Sequence, residues 1–366
     1  MTDELDLILV GPYPPPFGGI SAHIARLARG ARTDGFTVGV VDHFGRGAEE
    51  PLIIAELRRN PWRYWRVLRT VRARVVHYHH ARWSTLMASA WALRGSPAAT
   101  VATVHGRELE PFLESRVPGV GALTRWALRS FDVLVAVSAE VERSLQAAVG
   151  HPVAMIPAYL PDEDDPGELS AEADAFLRQG RSLVMAAYRL SVDGRGRTLY
   201  GLETAIESFA SVGRDHRDLR LAIFLASPPR SRREAQLLKG LVASAGDPDL
   251  RGRIRVFHGE PLAPALGLAT LFLRPTVTDG DAVSIREAMT AGLPVLASDV
   301  VARPEGVTVL PLECSRWAGE IDRALRSNGA AVTASGSAAD PLAQLLDIYD
   351  RLRPRPAPGA ERILVG

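Results

Sequence analysis

The residues best suited to chemistry lie between Leu271 and Asp299, in the stretch LFLRPTVTDGDAVSIREAMTAGLPVLASD. Asp279 and Asp281 flank Gly280 where an apolar strand ends and a helix begins. Gly280 lets the backbone come close there, and the N–H groups of Ala282, Val283 and Ser284 point outward at the start of the helix. Those amides, with the positive end of the helix dipole, favour a phosphate or a carboxylate. Glu287 follows Asp279 by eight residues, so one carboxylate stands in the loop and the other about one to two turns into the helix, near the same mouth. Such an arrangement could hold a phosphate and the hydroxyls of a sugar together. An ordinary turn and amphipathic helix would show a similar pattern.

The elements that must position these groups are a buried strand (Leu271, Phe272, Leu273), the turn Pro275 to Asp281, a helix, and a second apolar strand after the breaker Gly292-Leu293-Pro294. That is a βαβ unit. On these residues the stretch resembles the signature of retaining nucleotide-sugar glycosyltransferases of family four: an acid, seven residues, then Glu followed by Ala-Met, Gly and Pro-Val. Asp279, Glu287, Ala288, Met289, Gly292, Pro294 and Val295 stand in those places, with Asp in place of the usual first Glu, as in a subgroup that carries Asp-Gly-Asp. The resemblance implies the α/β fold called GT-B, two doubly wound Rossmann-like domains with a cleft between them. It also implies that Glu287 holds the ribose hydroxyls of the donor, that Gly280, Asp281 and the amides of Ala282, Val283 and Ser284 belong to the donor site, and that Asp279 faces the sugar as a catalytic residue.

With 366 residues, 46% hydrophobic and 23% charged, the chain can bury two cores. A net charge of +1 gives no bulk attraction to nucleic acid, and no zinc spacing or RNA-binding signature occurs. Cys314 is the single cysteine, which excludes an intrachain disulfide, fits a reducing compartment and implies no metal or thiol chemistry. The acidic start MTDELDLILVG does not read as a secretory signal, and no apolar run approaches the ~20 residues of a membrane span. The expectation is a cytoplasmic protein.

In chain order, Leu7 to Val10 reads as a buried strand, the loop Pro12 to Gly19 follows, and Ile20 to Arg32 forms a helix. The loop lacks a G-x-G-x-x-G pattern, so a dinucleotide cofactor is disfavoured. Gly18 and Gly19 either turn their amides toward a ligand, as in the resembling family, where they face the donor phosphate, or merely allow a tight turn. Further strands fall at Val38–Val41, Val75–Tyr78, Thr100–Val104, Val133–Val137 and Val153–Ile156, continuous apolar runs that fit a parallel sheet covered on both faces. His77, His79, His80, His105 and Ser138 come at the ends of these strands. His105 occupies the place of a family histidine that reaches the donor sugar, a second catalytic candidate, whereas His77, His79 and His80 read as structural.

Between Pro51 and Thr100 stand nine arginines, Arg58, Arg59, Arg63, Arg66, Arg69, Arg72, Arg74, Arg82 and Arg94, against Glu56 alone. Trp62, Trp65, Leu68, Val71 and Val75 recur at helical spacing within this run. Either the helix packs its stripe on the sheet, or the 58–75 stretch lies on an anionic membrane and places the protein at the inner face of the cytoplasmic membrane.

The first domain is expected over 1–160, a linker over 161–180, and a second domain over 181–340 that repeats the βα pattern from Ser182. A helix over 341–353 is expected to cross back to the first domain, and the tail, 354–366, to be loose. The strand Leu183 to Ala187 runs into Tyr188 and Arg189. The family clamps the donor pyrophosphate with an Arg, matched by Arg189, and a Lys whose place is taken by Tyr200; Lys239, the one lysine, lies far along the chain. Arg195 or Arg197 could supply the missing charge, or both could be solvated loop residues.

The reading is a retaining, metal-independent glycosyltransferase that moves a sugar from a nucleotide-sugar to a glycan, lipid-linked or small-molecule acceptor, with no cofactor beyond the donor. Two alternatives stay open: a sugar-nucleotide epimerase of the same architecture, and a nucleotide-sugar-binding or scaffold homologue with impaired catalysis, suggested by Tyr200.

Overall fold

The protein is described by a computed structural model covering residues 5–14, 18–43, 52–54, 61–80, 82–160, 167–279, 282–327 and 340–352. It divides into two compact units, one of Met1–Tyr13, His23–Leu160 and Ala338–Gly366, the other of Pro14–Ala22 and Pro161–Ser337.

The first unit contains β1 (Leu5–Gly11), most of α1 (Gly19–Thr33), β2 (Val38–Asp42), β3 (Leu52–Ile54), α2 (Pro61–Thr70), β4 (Ala73–His80) and α3 (Trp83–Leu93). It continues through β5 (Ala99–Val104), α4 (Glu110–Leu113), α5 (Val120–Arg129), β6 (Val133–Ala136), α6 (Ala139–Val149) and β7 (Ala154–Met155). Its seven described strands run parallel in the order β3-β2-β1-β4-β5-β6-β7. The order reverses direction between β1 and β4, which is where a doubly wound sheet opens a crevice at its carboxyl edge. Ile8, Val10, Val76 and Tyr78 from the sheet pack with Leu68 of α2, Leu86 of α3 and Leu128 of α5 in one core.

The second unit runs α7 (Ala171–Arg178), β8 (Ser182–Ala187), α8 (Leu202–Val212), β9 (Arg220–Leu225), α9 (Arg232–Ala243), α10 (Pro248–Gly252) and β10 (Ile254–His258). It goes on with α11 (Ala263–Leu266), β11 (Leu271–Arg274), α12 (Val283–Thr290), β12 (Val295–Ser298), β13 (Thr308–Leu310) and α13 (Cys314–Arg326). Its strand order, β10-β9-β8-β11-β12-β13, repeats that of the first unit, with the reversal between β8 and β11. Alternate residues feed different cores: Leu183, Met185, Leu271 and Leu273 face Phe209 and Trp317, while Val184 and Phe272 face Phe176 and Ile285. A strand apolar on both faces needs helices on both, and a parallel sheet follows. Helix starts are set locally: Ser138, Ser170 and Ser231 accept the amides of Val141, Ala173 and Glu234.

α14 (Pro341–Leu352) belongs to the first unit. Its Leu342 packs on Gly30 of α1, and Tyr349 is buried with its hydroxyl 2.5 Å from His77 Nδ1. The expected tail, 354–366, lies outside the described residues. One expectation is corrected here. The basic stretch does not make one helix from Trp62 to Val75, because α2 ends at Thr70 and Val75 is the third residue of β4. The face α2 buries is Tyr64 and Leu68, four residues apart, with Trp65 and Val67 half-buried against the same core. Among the described residues no helix is long and apolar enough to cross a membrane.

Candidate functional site

At the reversal point of the second sheet, the chain leaves β8 through Tyr188 and the half-buried Arg189, and leaves β11 through Arg274 into the loop before α12. Asp279 in that loop is 7% exposed and both its oxygens are taken up. Arg274 donates from Nε to Oδ2 (3.0 Å) and from Nη2 to Oδ1 (2.8 Å), and Arg303 donates from Nη1 to Oδ2 (2.9 Å). The hydroxyl of Thr276 donates to Oδ2 as well, at 3.1 Å. Burial works to raise this carboxyl's pKa, but the charges and hydrogen bonds of Arg274 and Arg303 outweigh it and hold it at about 2.

The Asp279 carboxylate is thus bound inside the unit, by a two-nitrogen fork of Arg274 and by one nitrogen of Arg303. Arg303, only 1% exposed, also donates to the carbonyl and hydroxyl of Ser298, so the network ties the loop to the end of β12. Within this network two guanidiniums stand against the one carboxylate of Asp279.

The Tyr200 position is explained by the same network. Arg274 lies over the Tyr200 ring, 5.2 Å from its centroid, and also donates to the carbonyl of Ala186 at 3.1 Å. Burial raises the Tyr200 phenol, and the charge of Arg274, with smaller effects of the Tyr188 backbone and Arg189, opposes the rise. Tyr200 thus binds Arg274 to β8 in place of presenting a cation of its own. The loop before it is fixed by Thr198, whose hydroxyl bonds Glu203 and accepts the amide of Leu202. Arg197 pairs with Asp193 inside this loop at 3.0 Å, and Asp193 Oδ1 also accepts the amides of Arg195 and Arg197. The expected swing of Arg197 toward a phosphate therefore has to break an existing pair, while Arg195 is exposed.

α12 begins after Ala282, which supplies no side-chain cap, so the amides of its first turn have no side chain of Ala282 to satisfy them. The amide of Ile285 turns back to the carbonyl of Ala282 at 3.0 Å. Glu287, just past the first turn of α12, is half-buried. Gly280 and Asp281 lie outside the described residues. Gly18, which groups with this unit, donates its amide to Ser21 Oγ at 2.8 Å, and a Cβ on it would stand 2.5 Å from the Tyr188 ring. Gly18 is thus required for close packing; a Cβ on Gly19, at the start of α1, would meet nothing within 4 Å.

In the first unit, three histidines gather at the carboxyl edge of the sheet: His23 on α1, His79 near the end of β4, and His105 just after β5. His79 Nδ1 lies 3.2 Å from His105 Nε2, and the ring centroids of the three are 5.0–5.5 Å apart. His77, as expected of a structural residue, is fully buried with its two ring nitrogens bonded to the hydroxyls of Tyr349 and Thr103. The side chain of His80 lies outside what is described, and Ser138 is the cap of α6. The sequence reading missed His23, Arg274 and Arg303. Arg274 and Arg303 had a usable signal in their places, one at a strand end and one after β12, close to the acid-rich loop.

Comparison with known proteins bears on both units. Residues 17–158 match the sequence model described as Glycosyltransferase Family 4, and residues 190–327 match that of Glycosyl transferases group 1. No curated protein matches the sequence. Among solved structures, sucrose-phosphate synthase from Thermosynechococcus elongatus is similar at 17% identity and a TM-score of 0.69, over 95% of this chain and 99% of that one. The UDP-forming alpha,alpha-trehalose-phosphate synthase from Burkholderia xenovorans, in complex with glucose-6-phosphate, is similar at 15% identity and 0.65, over 95% and 97%. WaaG, a glycosyltransferase involved in lipopolysaccharide biosynthesis, is similar at 16% identity and 0.63, over 95% and 99%. At such identities the structures establish the two-domain GT-B architecture, and the two sequence models, one for each unit, establish the chemistry class: the chain belongs to the family-four type of glycosyltransferases.

Proposed function

We propose that the protein moves a sugar from a nucleotide-sugar to a glycan, lipid-linked or small-molecule acceptor, with retention at the anomeric carbon and with no metal ion at the phosphates. The observation that supports the reading is the edge of the second sheet, where Arg189 follows β8, Arg274 and Arg303 outnumber the Asp279 carboxylate they bind, and α12 begins with Glu287 just over one turn into it. An anion is favoured by the arginines and the start of α12, and a pair of ribose hydroxyls by the carboxylate of Glu287. In this reading Arg189 and the amides of Ala282, Val283 and Ser284 take up the charge that grows on the departing diphosphate. Asp279 acts by positioning that loop. The acceptor hydroxyl attacks the face from which the nucleotide leaves. The protein fixes these groups in advance, which is how electrostatic stabilisation serves a reaction that passes through a cationic sugar.

A panel of UDP-, GDP-, dTDP- and ADP-sugars, with and without EDTA, tests this by thermal shift. A donor at ~100 times its dissociation constant stabilises by about 2.7 kcal/mol, so one nucleotide series should raise Tm clearly. No shift with any of them would remove the donor assignment, and a shift abolished by EDTA would remove the metal-free one.

The acceptor is proposed to be met at the inner, anionic face of the cytoplasmic membrane. Trp62 of α2 is 78% exposed, Trp91 of α3 is 62% exposed, and Arg63, Arg66 and Arg69 line the same helix as Trp62. Arg69 also lies 5.2 Å over the Trp65 ring, leaving its charge near the aromatic surface. Tryptophans at headgroup depth with arginines beside them suit a surface of anionic lipid. Arg58 and Arg59 lie outside the described residues.

A further inference from the structure

We infer that His23, His79 and His105 form a binding site for one borderline transition-metal ion, of the class of Zn²⁺ or Ni²⁺, held through one nitrogen of each imidazole. Ligating nitrogens of the three rings lie within 4.8 Å of one another. Around a tetrahedral ion with bonds of about 2.0–2.1 Å, neighbouring nitrogens stand about 3.4 Å apart, so each has to move inward by less than about 1 Å.

The second observation is what surrounds the rings. His23 is 2% exposed and its Nδ1 donates to the carbonyl of Ala158 at 2.6 Å. A carbonyl only accepts, so Nδ1 carries the proton and Nε2 carries a lone pair. That Nε2 is buried and has no hydrogen-bond partner. A backbone carbonyl on the far nitrogen is the arrangement that orients a histidine for a metal. His79 is 0% exposed, and its Nε2 is likewise buried without a partner. Two orphaned imidazole nitrogens in one buried cluster cost stability unless something binds them.

The donor set selects the ion. Three neutral nitrogens and no carboxylate suit Zn²⁺ or Ni²⁺ and offer little to Mg²⁺ or Ca²⁺, which need oxygen.

Zn²⁺ titrated calorimetrically into the full chain, without donor or acceptor, tests the site apart from the glycosyl-transfer reading. We expect one equivalent bound with micromolar affinity or better, at least ten-fold weaker binding in His105→Ala and in His23→Gln, and unchanged binding in Cys314→Ser. His105 is half-buried, so if the buried His23→Gln variant fails to fold, His105→Ala decides. Wild type without saturable one-to-one binding, His105→Ala with parental affinity, or loss of binding in Cys314→Ser would each overturn the assignment.

Discussion

Gly201, which opens α8 just after Tyr200, has φ 68°, and a Cβ there would stand 1.7 Å from the carbonyl oxygen of Pro275. The left-handed conformation alone costs an ordinary residue about 1–2 kcal/mol, and backbone cannot yield as a side-chain tip can. Gly201→Ala should therefore lower the urea midpoint by more than that strain accounts for and loosen Tyr200 from Arg274; a variant as stable as the parent would show the contact to be dispensable. The need for glycine here was legible only as a family position. Asp279 was legible as an acid in the right place, but not its partners, because Arg303 comes from 24 residues further along the chain. Sequence spacing reveals what one helix or loop brings together, not what a second strand end delivers. His23 shows the same limit: its partners His79 and His105 reach it only through the strand order β1-β4-β5.

Among elements, the long apolar strands were readable in type and place, since burial on both faces leaves an unbroken apolar run. The three-residue strands β3 and β13 were not, being too short to carry a period. α2 was read with the right class and the wrong extent, because the spacing of Val71 and Val75 continues a helical period that the chain abandons for β4. Its exposed Trp62 carries the membrane proposal. The chain should sediment with anionic vesicles at low salt and be released at high salt, since exposed charges are screened beyond roughly 8–10 Å at physiological ionic strength. At about 1 kcal/mol for each arginine near such a surface, Trp62→Ser with Arg63→Ser and Arg66→Ser should lose most of the binding, with circular dichroism confirming the fold. Parental sedimentation by this triple variant, or wild type that stays in the supernatant under all conditions, would contradict it.

At the scale of the molecule, the repeated strand order of the two units was implied by the family resemblance and by the restart of the βα pattern at Ser182, and it is the part of the reading that needed no side-chain detail. The consequence for stability is less visible in the sequence. His23, His77 and His79 are buried and held neutral, chiefly by desolvation. Their folded pKa values lie below the unfolded 6.5, so the fold binds fewer protons than the unfolded chain; their contribution is complete above pH 6.5 and is lost as pH falls, for His23 toward about 4. His23 alone accounts for about 3 kcal/mol across that window. Urea unfolding at pH 7.5, 6 and 5 should show stability falling steeply below 6.5, by up to about 4 kcal/mol per pH unit for three protons. A flat profile from 7.5 to 5 would mean the histidines are not buried neutral. Asp279 adds acid sensitivity only lower, between 3.8 and about 2.

The central claim is that the second unit holds a nucleotide-sugar through the mouth of α12. Its most direct test is calorimetric titration of the donor selected by the panel, in EDTA, into the wild-type chain and Glu287→Gln, with circular dichroism confirming the fold of both. Loss of one charge-assisted hydrogen-bonding group is worth about 1.5–3 kcal/mol, so the variant should bind at least ten-fold more weakly. Equal affinity in the two proteins would contradict the account.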